Sequence, residues 1–144
     1  MVLDVHEVAA VRLRHTDQRY TKNRRAIVEE LSATDRPVTI PELLARRKGL
    51  PQSSAYRNMA LLEQAGVVRR VIGSGEFVRY ELAEDLTEHH HHFICSQCGN
   101  VEDFTLPAEL ESDVERALRR AARRSQFEGV HHQLDLVGTC ARCR

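Results

Sequence analysis

No apolar run in this 144-residue chain approaches the roughly 20 residues needed to cross a bilayer, which excludes a membrane-spanning helix. The opening residues, Met1-Val2-Leu3-Asp4-Val5-His6-Glu7, lack a basic region followed by an apolar core, so a secretory leader is not expected and the cytosol is the expected compartment. Net charge is missing as well, since 21 Lys+Arg balance 21 Asp+Glu. There is no internal repeat and no low-complexity linker. Cysteine is scarce: of 4 in the chain, none lies outside two CxxC pairs. What remains, 42% hydrophobic and 29% charged, is an ordinary soluble globular composition with enough length for two compact halves.

The zero net charge conceals an asymmetry. Residues 1–80 carry 14 Lys+Arg against 9 Asp+Glu, whereas residues 81–144 carry 7 against 12. A basic front half suits a polyanionic partner, because phosphates attract Lys and Arg whatever the base sequence. An excess of this size is equally compatible with a solvated basic surface, so charge alone leaves both readings open.

Local patterns give the order of elements. Ile27, Val28 and Leu31 share one face of an amphipathic helix around Arg25–Leu31. After a turn at Thr34-Asp35-Arg36-Pro37, Thr39-Ile40-Pro41-Glu42 has the form of a capping box, in which the Thr hydroxyl and the Glu carboxylate satisfy amides at a helix start. Gly49-Leu50-Pro51 breaks that helix. Ser53-Ser54 is expected to cap a third one, running to Ala65 with Ala55, Met59 and Leu62 on one face and Gly66 as its stop. Val67–Ile72 and Phe77–Leu82 flank Gly73-Ser74-Gly75 and predict a hairpin. Three helices followed by a hairpin is the order of a winged helix-turn-helix. Beyond His92, the pattern predicts short strands at Phe93-Ile94-Cys95 and Val101–Phe104, a helix over 108–125 with Leu110, Val114, Leu118 and Ala121 on one face, and a last strand over 133–137. Arg119, Arg120, Arg123 and Arg124 fall mostly outside that face and read as solvated.

Two clusters carry chemistry. In Cys95-Ser96-Gln97-Cys98 and Cys140-Ala141-Arg142-Cys143 the two-residue spacer lets both sulfurs of a pair point at one ion, and two pairs complete a tetrahedron of structural zinc. Disulfides are the rival reading, disfavoured in a reducing compartment; a dithiol redox motif needs only one pair. The second cluster is Glu88-His89-His90-His91-His92. In an extended segment alternate side chains face opposite ways, so His90 and His92 look one way and His89 and His91 the other. One strip of chain thus offers two metal sites, each short of a ligand. Glu81 precedes it and Asp103, Glu109, Glu111, His131 and His132 follow, all residue types that bind Zn(II), Fe(II) or Mn(II). A merely polar hinge is the plain alternative. His6 and His15 stand alone and read as ordinary surface residues.

Taken together, these features resemble the ferric uptake regulator family over nearly the whole chain, from about Arg19 to Cys143. The resemblance lies in the order of winged helix, Tyr80-Glu81-Leu82, histidine strip, Cys pair, long helix, His132 and second Cys pair. It implies an α+β fold with an N-terminal winged helix-turn-helix domain over 1–82, a His-rich hinge over 83–92, and a small C-terminal α/β dimerisation domain with a four-cysteine zinc site over 93–144. Ser54-Ala55-Tyr56-Arg57 resembles the Thr-Val-Tyr-Arg stretch that opens the family's recognition helix, with Tyr56 placed to meet a thymine methyl and Arg57 a phosphate or guanine; a core role for Tyr56 is the alternative. Arg19, Thr21 and Arg24 belong to a basic segment that resembles the family's DNA-contacting stretch.

The resemblance also implies the metal ligands. Glu81, His90 and His92 match the regulatory site at the hinge, with Asp103 matching a carboxylate ligand of the peroxide-responsive branch. His89, His91 and His132 match an additional site completed by a carboxylate of the long helix, Glu111 with Glu109 in reserve. One departure is plain. Where iron- and peroxide-sensing members donate a histidine from the DNA-binding half, this chain has Arg36 and Pro37. Where zinc-responsive members use an Asp, it has Arg69. Either the regulatory site is completed differently, by Asp85 or Asp103, or it is weaker than usual in the family. The implied function is metal-dependent repression of metal-homeostasis genes by a homodimer on a roughly palindromic double-stranded operator. Its metals would be structural Zn(II) and regulatory Zn(II) or Fe(II), or Mn(II), with no membrane and no small organic substrate involved. The rivals are a constitutive DNA-binding protein with structural zinc only and a zinc enzyme; against the latter, the helical His-Glu-x-x-His pattern is absent.

Overall fold

The computed structural model describes residues 4–71 and 78–144. Its elements run α1 (Val5–His15), α2 (Lys22–Ala33), β1 (Val38–Thr39), α3 (Ile40–Arg46), α4 (Gln52–Gln64), β2 (Val68–Val71), β3 (Arg79–Leu82), a 3-10 turn (Glu84–Leu86), β4 (His91–Cys95), β5 (Val101–Phe104), α5 (Ala108–Arg124) and β6 (Asp135–Gly138). No helix among the described residues is long and apolar enough to cross a membrane.

Helix starts and stops follow local hydrogen-bond chemistry. Thr39 and Glu42 form the expected capping box: the Glu42 amide donates to Thr39 Oγ1 and the Thr39 amide to Glu42 Oε2, both at 3.2 Å. The end of α4 is equally explicit. Gly66 takes φ +77°, its amide reaches the Glu63 carbonyl at 3.0 Å, and the Val67 amide reaches the Leu62 carbonyl at 2.9 Å, the paired bonds of a Schellman stop. The start of α4 differs from the expectation at Ser53-Ser54. The cap residue is Pro51, with no side-chain cap bond, and both serines lie inside the helix. Pro51 fixes its own φ at −63° and thereby sets where the helix begins.

Strands β1, β3 and β2 form an antiparallel sheet against which α2, α3 and α4 pack. The core beneath it contains Leu13, Ile27, Val28, Leu43, Met59 and Leu62, all fully buried. The turn of the expected hairpin, Gly73-Ser74-Gly75, lies outside the described residues. Its two strands pair with Arg69 opposite Glu81 and Arg70 opposite Tyr80.

The second sheet has the order β5-β4-β6, with β4 antiparallel to β5 and parallel to β6. A small cluster of Val71, Ile94 and Val101 joins it to the first sheet. Arg79 strengthens the junction, donating to the Gly99 carbonyl at 3.0 Å and to the Pro37 carbonyl at 3.3 Å.

Candidate metal centres

Cys95 ends β4, where it pairs with Gly138 at the end of β6, so the sheet register brings the two CxxC turns side by side. The Gly99 amide closes the first turn on the Cys95 carbonyl at 2.9 Å, with Gly99 at φ +70°; the Cys143 amide closes the second on the Cys140 carbonyl at 3.0 Å. All four sulfurs lie within 4.8 Å of one another and form no disulfide. Sγ of Cys98 and Cys140 stand 3.8 Å apart. A tetrahedron with metal–sulfur bonds of about 2.3 Å has edges of about 3.8 Å, so the spacing fits zinc. Backbone amides of Cys140 and Cys98 bring the Cys95 thiol down to about 6, while its neighbour Cys140 pushes Cys143 up to about 12. Sulfurs this close cannot all ionise unless a cation joins them.

The second cluster spans the connection between the sheets. Glu81 lies on β3, His90 just before β4, His92 on β4 and Asp103 on β5, opposite His92 in register. Their ligand atoms gather within 4.8 Å. Glu81 Oε2 is 2.9 Å from His90 Nε2 and 3.2 Å from His92 Nε2; Asp103 stands 3.8 Å and 3.6 Å from the same nitrogens. Each imidazole is oriented from behind. His90 Nδ1 meets the Glu88 carbonyl at 2.9 Å and His92 Nδ1 meets Asp135 at 3.3 Å, which turns both Nε2 lone pairs toward the centre. Asp103 Oδ1 is buried with no hydrogen-bond partner among the described residues, as befits an oxygen that a metal would satisfy.

Charge at this cluster is strongly perturbed. Burial pushes the Glu81 carboxyl up, but hydrogen bonds from His90 and His92 and the charge of Arg69 outweigh it and hold Glu81 far below the ordinary carboxylate range. The bond to Glu81 raises His90 to about 9. Burial pulls His92 down, yet Glu81 and Asp135 leave it raised; burial raises Asp103 against the pull of His90.

The third cluster holds His89, His91, Glu111 and His132. Glu111, on α5, receives all three rings: His91 Nε2 at 2.8 Å, His89 Nε2 at 3.0 Å and His132 Nε2 at 2.7 Å. Hydrogen bonds from His91 and His132 lower its carboxyl despite burial. His91 Nδ1 is a second buried atom without a hydrogen-bond partner among the described residues. The alternation of the histidine strip thus sends 90 and 92 to one cluster and 89 and 91 to the other. Neither Glu109 nor His131 joins either group. Asp85 lies elsewhere, paired with Arg12 of α1.

Three partners of these clusters have no signature in the sequence. Arg69 binds Glu81, Glu84 links Arg69 to His89, and Asp135 supports His92. The first is in principle readable from the hairpin register, which sets Arg69 opposite Glu81.

The basic half places its named residues in two layers. Tyr56 is 48% exposed on the first turns of α4, and Arg57, Arg19 and Thr21 are exposed as well. Tyr56 is therefore not a core aromatic. Thr21 also caps α2, accepting from the Arg24 amide. Arg24 and Ser54 are buried: Arg24 Nε donates to Asn58 Oδ1 at 2.9 Å, and Ser54 Oγ accepts from Asn58 at 2.9 Å and Asn23 at 3.1 Å. This network locks α4 to α2 beneath the exposed residues.

Comparison with known proteins agrees with this architecture. Residues 15–137 match the model of the ferric uptake regulator family. The peroxide-responsive repressor PerR of Staphylococcus aureus is 28% identical over 142 residues, spanning 96% of this chain and 90% of that protein. The ferric uptake regulator of Helicobacter pylori, a protein with three functional metal-binding sites, shares the fold with a TM-score of 0.72 at 21% identity, over 99% of this chain and 95% of that one. A zinc-bound manganese uptake regulator is 30% identical with a TM-score of 0.62, over 94% of this chain and 98% of that one. The family model spans most of the sequence and the fold is shared nearly end to end: the chain belongs to the ferric uptake regulator family.

Proposed function

We propose that this protein is a cytoplasmic, metal-dependent transcriptional repressor of metal-homeostasis genes, such as those for zinc or iron uptake, and not an enzyme. The observation that carries this reading is the hinge cluster, whose four ligands come from both sides of the connection between the sheets: Glu81 from the winged-helix half, and His90, His92 and Asp103 from the strip and sheet beyond. A divalent ion held there, Zn(II) or Fe(II) or else Mn(II), supplies a cross-link between the halves. Glu81 and His92 then fix the angle at which the winged helix, residues 1–82, leaves the hinge at 83–92 and the dimerisation domain at 93–144. Cys95, Cys98, Cys140 and Cys143 would hold structural Zn(II), and His89, His91, Glu111 and His132 would hold a further ion at the point where Glu111 ties α5 to β4.

Tyr56 and Arg57 contact base edges and phosphates of a double-stranded, roughly palindromic operator, Arg19 enters the minor groove, and Thr21 belongs to the same DNA-contacting segment. Arg24 and Ser54 act by positioning α4. Two copies of the chain present two such surfaces, and the hinge ligands select the separation that fits both half-sites. Fluorescence anisotropy with operator DNA tests this. In His90→Ala/His92→Ala, added metal should no longer tighten DNA binding, while sedimentation still shows a dimer. A double variant that keeps the normal metal response removes the hinge from the mechanism.

A further inference from the structure

We propose that Arg69 sets the metal selectivity of the hinge site by holding one oxygen of Glu81 out of coordination, which favours zinc over ions that demand more ligands. The inference rests on reading Glu81, His90, His92 and Asp103 as metal ligands. It assigns a role to a residue that is not itself a ligand.

The argument starts from register. Arg69 on β2 sits directly across from Glu81 on β3. Its Nε and Nη2 both meet Glu81 Oε1, at 2.8 Å and 2.7 Å, and its Nη1 lies 3.5 Å from Glu84 Oε2, which steadies the guanidinium from the far side. The two carboxylate oxygens of Glu81 are thereby divided. Oε1 belongs to Arg69, and Oε2 faces His90 and His92 at 2.9 Å and 3.2 Å. A carboxylate that chelates through both oxygens must turn both toward the ion, and Arg69 prevents that turn. Because arginine does not deprotonate in proteins, the restraint holds at every working pH.

Counting donors gives the consequence. Glu81 supplies one oxygen, and each histidine supplies one nitrogen. Asp103 supplies one or both of its oxygens, since Oδ2 lies 3.8 Å from His90 Nε2 and Oδ1 lies 3.6 Å from His92 Nε2. The site therefore offers four or five donors, a number that zinc accepts. Releasing Oε1 brings the total to five or six, and six is the octahedral number that suits Mn(II). The positive charge of Arg69 also offsets one ligand charge, but that effect weakens every divalent ion alike and leaves their ratio unchanged.

Arg69→Met in the full-length protein, with zinc retained on the cysteines, separates the two effects. Competition titrations against a chelator give Zn(II) and Mn(II) affinities, and Co(II) loading reports coordination number through the intensity of its visible absorption. The expected result is that Mn(II) affinity rises about tenfold more than Zn(II) affinity, with weaker Co(II) absorption per ion. An unchanged Zn-to-Mn ratio overturns the inference, whether both affinities rise together or neither moves. Should Arg69→Met fail to fold, Arg69→Gln removes the same charge and fork and is read identically. His90→Ala/His92→Ala is the control for the underlying reading. If it takes up as much metal as the wild type, the hinge is not a metal site and both conclusions fall together.

Discussion

Glu81 is the residue at which the histidine strip meets the first sheet, touching Arg69 through one oxygen and His90 and His92 through the other. Its environment makes the stability of the metal-free hinge depend on pH. His90 is raised from 6.5 to about 9, so the stability it contributes is complete below 6.5 and is lost as pH rises through about 9. Glu81 is shifted the other way from its ordinary 4.5, so its contribution is present above 4.5 and disappears only in strong acid. The two combine to give the firmest metal-free hinge between 4.5 and 6.5, with progressive loosening from 6.5 to 9. Since the pair is only partly buried, solvent screening reduces the effect to about 1 kcal/mol. Urea midpoints of protein stripped of hinge metal should therefore be lower at pH 9 than at pH 6. His90→Ala should flatten that difference, and an equal slope in the variant would place its origin elsewhere. Excess metal should reverse the order, because metal binds only the unprotonated rings.

Elements that carry their own punctuation were legible in the sequence, and elements that depend on distant neighbours were not. The capping box of α3 and the glycine stop of α4 are local chemistry that the structure bears out, and the Cys and His spacings gather into groups that could hold an ion. Helix α1 gives a fainter signal, because its apolar stripe is narrow: Val5, Ala9 and Leu13 lie four residues apart on one face, and only Ala9 and Leu13 of them are fully buried. Strand β1 is two residues long and exists by pairing with β3. Pro51 rather than Ser53-Ser54 starts α4, since Ser54 is drawn inward by Asn23 and Asn58. The ligand types stand out in sequence for their spacing, whereas Arg69, Glu84 and Asp135 reach their places only through strand register. Strand β6 is the extreme case: none of its four residues is buried, and what ties it down is its pairing with β4 and the cysteine cluster at its end. Structural zinc contributes about 10–16 kcal/mol, comparable with the whole stability of a small domain. Cys98→Ser/Cys143→Ser should accordingly abolish zinc retention and remove hydrogen-exchange protection from β4 and β6 while α2 and α4 stay protected. Undiminished protection of β6 in zinc-free protein would show that the metal is dispensable.

At the scale of the whole molecule, the two halves are finished to different degrees. The winged-helix half closes over a core of fully buried side chains, whereas α5, 17 residues long, has none buried. Leu118 is 43% and Phe127 68% exposed, and Leu110, Leu134, Leu136 and Val137 are exposed with them. A helix of that length is marginal in water without a packed face, and the groove that Leu118 shares with Phe127 and Val130 is the apolar surface on it that an association would cover. A second copy of the chain is the partner that also serves the proposed function, because it doubles the DNA-binding surface. Leu118 lies in the groove that His132 and Glu115 also line, so the association surface adjoins the cluster that ties α5 to β4. Placing a charge in that groove, as in Leu118→Asp, should yield monomers in sedimentation while the core of α2, α3 and α4 keeps its melting behaviour. Operator affinity should then fall by about 100-fold or more, because the second half-site no longer binds at the effective concentration that linkage provides. The same loss should appear with saturating metal, since hinge geometry is of no use to a single winged helix. A monomeric variant that binds the full operator as tightly as the wild type would mean that one copy suffices and that the exposed face of α5 serves some other contact.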